Sequence, residues 1–84
     1  MAEKQIGKVT HYFGKISVAV VELSDELRVG EMIKIVGHGK EFTQTVSSMQ
    51  IEHKNIDVAK AGQTIGLKVD QPVKEGDIVY KVTE

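Results

Sequence analysis

Lys15-Ile16-Ser17-Val18-Ala19-Val20-Val21-Glu22-Leu23 is the stretch on which the fold turns. Ile16, Val18 and Val20 alternate with Ser17, Ala19, Val21 and Leu23, which is the two-residue period of a β-strand, and the β-branched side chains suit a pleated surface. Apolar residues on both sides of the alternation predict a strand that is at least partly covered on each face.

Working outward, residues 6–13 read as a first strand, with Ile6, Lys8, Thr10 and Tyr12 on one side and Gly7, Val9, His11 and Phe13 on the other. That mixed pattern suits a strand that bends. Ser24-Asp25-Glu26 supplies side-chain oxygens for free amides, but Val29-Gly30 follows too soon for more than a short turn. Residues 32–36 form a third strand that closes on Gly37-His38-Gly39-Lys40, whose glycines permit the positive φ of a hairpin turn. Residues 42–52 read as one long strand with a wet face, and the spacing of apolar residues in 56–62 predicts a helical turn ended by Gly62. Residues 64–69 make a fifth strand. Pro72 falls in the connection, and Glu75-Gly76-Asp77 turns the chain into a last strand over 78–82. Six short strands and no long helix in 84 residues predict an all-β fold, a small closed six-stranded Greek-key-type β-barrel, because closure removes exposed sheet edges.

At this length one domain spanning residues 1–84 is expected, with a compact core. The chain has no cysteine, which excludes disulfides, thiol catalysis and zinc–thiolate sites; three histidines, His11, His38 and His53, are a poor basis for a metal site. The apolar run Val18-Ala19-Val20-Val21 is too short to cross a bilayer, and the first residues lack the apolar stretch of a leader, so the expected location is the cytoplasm, with no membrane contact. Eleven basic and twelve acidic side chains, scattered along the chain with a single arginine, disfavour broad binding to a phosphate backbone.

Three segments go beyond generic strand pattern. Leu27-Arg28-Val29-Gly30-Glu31-Met32-Ile33-Lys34-Ile35-Val36-Gly37, Val46-Ser47-Ser48-Met49-Gln50-Ile51-Glu52-His53 and Ala59-Lys60-Ala61-Gly62-Gln63-Thr64-Ile65-Gly66-Leu67 occur in the order and spacing found in the second, β-barrel domain of translational GTPases such as elongation factor Tu. Ile6-Gly7-Lys8-Val9 and Glu75-Gly76-Asp77-Ile78-Val79 resemble that domain's opening and closing strands more loosely. The resemblance, to a translation elongation factor-like protein, implies a stand-alone barrel associated with tRNA or ribosomal RNA. The chain carries no G-x-x-x-x-G-K-S/T loop, so it has no nucleotide-binding domain and no GTP cofactor. A similar barrel also occurs appended to collagenase-like peptidases that act in tRNA modification, which implies a second reading: a protein-interaction module docking onto a separately encoded enzyme of that kind.

Gln50 stands where the translation factors carry a glutamate that helps contact the terminal ribose of tRNA. An amide keeps hydrogen-bonding capacity but loses the charge, and its bland alternative is a solvated polar residue on a strand. His53 and His11 could stack on a base or meet a phosphate, or simply be surface histidines. Tyr12, beside Phe13, could anchor a partner if exposed; otherwise Phe13 and Phe42 fill the core while Tyr12 and Tyr80 cover its ends. Arg28 completes the set of candidate RNA- or partner-binding residues. Ser47 and Ser48 lack a nucleophile motif, so no catalysis is expected.

Overall fold

The computed structural model describes residues 2–37 and 39–83. They form ten strands: β1 (Ala2–Phe13), β2 (Val18–Leu23), β3 (Leu27–Arg28), β4 (Met32–Gly37), β5 (Lys40–Thr45), β6 (Met49–Ile51), β7 (Lys54–Ile56), β8 (Val58–Ala59), β9 (Thr64–Lys68) and β10 (Ile78–Thr83). Eight of them make one antiparallel sheet in the order β5-β4-β10-β1-β2-β9-β6-β7, and β3 pairs with β8 separately.

β1 organises the sheet because its twelve residues serve two neighbours, β10 along the first part and β2 along the second. Two irregularities in register, one at Ile6 and one at Thr10, let it curl around the core. Ile6 and Gly7 are buried in succession at the first. Inside lie Val9, Val21, Ile33, Ile35, Ile65, Leu67 and Val79, all at most 1% exposed. Each such side chain contributes about 1.5–3 kcal/mol by leaving water.

The all-β reading holds, but the sheet does not close into a six-stranded barrel: β5 and β7 are its edges. The gap next to β5 is spanned by a side chain instead. Gln44, only 5% exposed, donates from Nε2 to the Lys68 carbonyl at 2.8 Å and accepts from the Asp70 amide at 2.7 Å, so its carboxamide imitates a peptide group of a missing strand.

Two further expectations are corrected. The strand foreseen over 42–52 is broken at residues 46–48: the Val46 amide and carbonyl pair with the Glu31 carbonyl and the Gly30 amide, and the Ser48 carbonyl accepts from Lys68. The chain therefore leaves β4 at Thr45 and re-enters beside β9 as β6. Residues 56–62 form no helical turn, because Val58 and Ala59 pair with Arg28 and Leu27 across β3–β8 while the Asp57 carbonyl accepts from Val29. Cross-strand partners outbid a local spacing signal. The hairpin joining β4 to β5 is as expected, with Gly37 paired to Lys40 and Gly39 at φ 74°; His38 lies outside the described residues.

Candidate protein-interaction surface

The extra residue at Thr10 decides which side chains face outward. Before it, Gly7 and Val9 point inward; after it the phase reverses, so Tyr12 packs on the core while His11 and Phe13 face out. Phe13 is 47% exposed and does not fill the core as the sequence suggested; Phe42 does. The His11 ring meets the Phe13 ring edge-on, with centroids 4.5 Å apart, and its Nδ1 lies 3.4 Å from Glu75 Oε1.

The register of β1, β2, β9, β6 and β7 lays this outer face out in rows. One row reads Phe13, Val18, Lys68; the next reads His11, Val20, Gly66, Gln50, Asn55. Val18 and Val20 thus face away from the core, partly exposed, on a strand in which Ala19, Val21 and Leu23 are buried. Gly66 sits at the middle with no side chain, and a Cβ there would come within 3.2 Å of Val18 Cγ1. Its absence leaves a dip: open hollows of ≈ 250 and ≈ 200 Å³ share Ile16, Val18, Gln50 and Gly66 in their walls. The close approach at Gly66 therefore lies on the outer face of the sheet.

Strained turns frame the dip. Ser17 has φ 55°, which throws Ile16 outward to 58% exposure, while its carbonyl accepts from the Val69 amide at 2.9 Å. Glu52 and His53, at φ 51° and 65°, form the two-residue turn between β6 and β7, where glycine or asparagine is the usual choice. A non-glycine residue in this region costs about 1–2 kcal/mol. Lys68 Nζ donates to the Ile16 carbonyl at 3.1 Å, placing a cation at the same end as Lys15.

Of the candidate residues, the fold brings Gln50, His53 and His11 to this face. Gln50 Nε2 donates to Asn55 Oδ1 at 3.0 Å, so the amide is engaged across the hairpin. Tyr12 is turned inward, and Arg28 belongs to β3, where its Nε lies 2.9 Å from Glu26 Oε1. Ile16, Val18, Val20 and Gly66 were missed as site residues. The signal for them was the apolar alternation on both sides of residues 16–23. Among the described residues no three His, Asp or Glu side chains gather as a metal site, and no helix is long and apolar enough to cross a membrane.

These features define a small antiparallel β-module with one apolar outer face framed by strained turns. The chain belongs to the peptidase family U32 C-terminal domains, whose pattern matches residues 3–79. It is 41% identical over 81 residues to an uncharacterized protease of Methanocaldococcus jannaschii, a match covering 95% of this chain and 20% of that protein. A collagenase of Porphyromonas gingivalis is 32% identical over 78 residues, covering 90% of this chain and 22% of its own length. The chain thus spans about a fifth of the length of these curated relatives. A crystal structure of the C-terminal domain of a Geobacillus thermoleovorans chain assigned to the U32 peptidases superposes with a TM-score of 0.88 at 23% identity, covering 95% of this chain and 93% of that one.

The resemblance to translation elongation factors is overturned by these matches, and RNA binding by Gln50, His53, His11, Tyr12 and Arg28, which rested on that resemblance, is left without support. The motifs behind it are largely turn chemistry. Gly30 and Gly62, at φ 95° and 87°, mark tight turns into strands that any small β-fold with this strand order requires.

Proposed function

We propose that this domain is a non-catalytic protein-interaction module that docks onto the peptidase portion of a U32-type protein, whether that portion lies in the same polypeptide or another. The observation that carries the reading is the outward apolar face of Phe13, Ile16, Val18 and Val20, with Phe13 and Ile16 47% and 58% exposed. Apolar side chains gathered on one sheet face mark a contact site, whereas scattered ones do not. The matched relatives support it: in them the corresponding segment accompanies a much longer protease chain. The hollows, at most ≈ 250 Å³ and open, fall below the size of a small-molecule site.

The test is a titration of the ¹⁵N-labelled chain with the part of the M. jannaschii relative that lies outside the matched region. Saturable amide shifts with a Kd of roughly 1–100 μM are expected. No shift at several hundred micromolar of that protein, on the order of the weakest useful affinity, would sink the reading.

A further inference from the structure

Resting on that reading, we infer that the docking surface is the dip over Gly66 and that its occupant is an apolar segment of the peptidase portion flanked at one end by aspartate or glutamate. Two independent observations select this face. Ser17, Glu52 and His53 are the only non-glycine residues with positive φ among those described, and all three border it: Ser17 between Ile16 and Val18, the other two at the opposite wall. Backbone strain gathered around a single surface points to a use for that surface beyond the fold.

The second observation is charge. Lys15 and Lys68 stand at the Phe13–Val18 end, and neither forms an ion pair with a described residue; Lys68 spends one proton on the Ile16 carbonyl. Glu52, unpaired likewise, lies on the opposite wall. The dip is therefore polar in the electrical sense, positive at one end, and complements a segment whose acidic residue sits over Lys15 and Lys68.

The molecule has a second outward apolar row, where Met32, Val36, Ile78 and Val82 face solvent on β4 and β10. There Lys34 is already paired, its Nζ 3.2 Å from Glu3 Oε2 and 3.3 Å from Glu41 Oε1, while Lys8, in register with Ile78, forms no ion pair with a described residue. No non-glycine residue of positive φ lies on β4 or β10, so that row, with a cation but no strained turn, serves as the control.

The experiment repeats the titration above with Ile16→Ser, with Phe13→Ser and Ile16→Ser together, with Lys15→Glu and Lys68→Glu together, and with Met32→Ser, each first checked for wild-type amide dispersion. Ile16 stands so far out of the fold that Ile16→Ser tests the surface even if the double variant unfolds. The expected result is a Kd raised about tenfold by the apolar variants and by charge reversal, the latter effect shrinking at high salt, with Met32→Ser within about twofold. Wild-type binding that survives Ile16→Ser, or that Met32→Ser abolishes, overturns this surface while leaving the docking function intact. Concentration-dependent shifts at Phe13 and Ile16 in the chain alone would assign the dip to a second copy and overturn the occupant. Absence of wild-type binding removes the function and this inference together.

Discussion

Gln44 shows how one residue can stand in for an element. Both ends of its buried carboxamide are used, on the Lys68 carbonyl and the Asp70 amide, where a continuous barrel would have backbone. Gln44→Ala removes both part-buried hydrogen bonds and is expected to cost about 1–3 kcal/mol, read as a fall in the denaturation midpoint. Gln44→Glu keeps the acceptor for Asp70 but sets a carboxylate against the Lys68 carbonyl, and should be no more stable than the alanine variant. A neutral result for both would mean that the bridge is incidental. At His53 the sign is opposite. Glycine adopts φ 65° without penalty, so His53→Gly is expected to raise stability by about 0.5–1 kcal/mol, and the same substitution should weaken docking if the turn's shape is what the partner meets. Unchanged melting would show that the turn stores no strain.

Between elements, the turn after β2 is clasped to β1 by Lys4 and Asp25, 2.6 Å apart. The Lys4 hydrogen bond, followed by the Glu26 amide, holds the Asp25 carboxyl below its ordinary 3.8. A depressed folded-state value contributes stability that is present above pH 3.8 and is lost as pH falls through the folded value. Asp25→Asn should therefore melt lower than wild type at pH 6, with the two curves converging as pH drops below 3.8. Because Lys4 is largely exposed and Asp25 partly so, solvent screening keeps the effect small. A constant gap down to pH 2, about two units below the ordinary carboxylate range, would assign it to packing. Lys34 runs the other way: hydrogen bonds from its ammonium to Glu3 and then Glu41 raise its value above 10.5, so its contribution is complete below that pH and fades above it. The strands themselves were legible, because alternation in 18–23, 32–36, 64–68 and 78–82 is a local property. Illegible were the breaks and the inserted residues. Nothing in Thr10 announces that it is extra, yet it reverses the facing of His11, Tyr12 and Phe13, and Val46 continues an alternation that the chain abandons for Gly30 and Glu31.

Across the whole molecule, site and stability are arranged unequally. β1 lies in the middle of the sheet with Ile6 and Val9 fully buried, whereas β7 is a three-residue edge strand held on one side by β6, itself anchored by buried Met49 but paired with β9 at only two ladder positions. The candidate site was half legible for the same reason. Gln50, His53 and His11 could be named from residue chemistry, but the face that unites them comes from joining the β1–β2 and β6–β7 hairpins through β9, and its apolar members looked like core. The β6–β7 hairpin, carrying Gln50, Glu52 and His53, is the wall of the dip with the least holding it. Amides of β1, β2 and β10 should exchange with solvent only through global unfolding, while those of β6 and β7 exchange through a local opening roughly 2–4 kcal/mol less costly. A partner seated over Gly66 must find that wall closed, so its binding is expected to slow exchange in the hairpin more than tenfold at about a hundred times its Kd and to leave β1 protection rising only with overall stability. Hairpin amides that exchange as slowly as those of β1 in the free chain would mean that the wall is rigid, and docking would then involve no closing of the site.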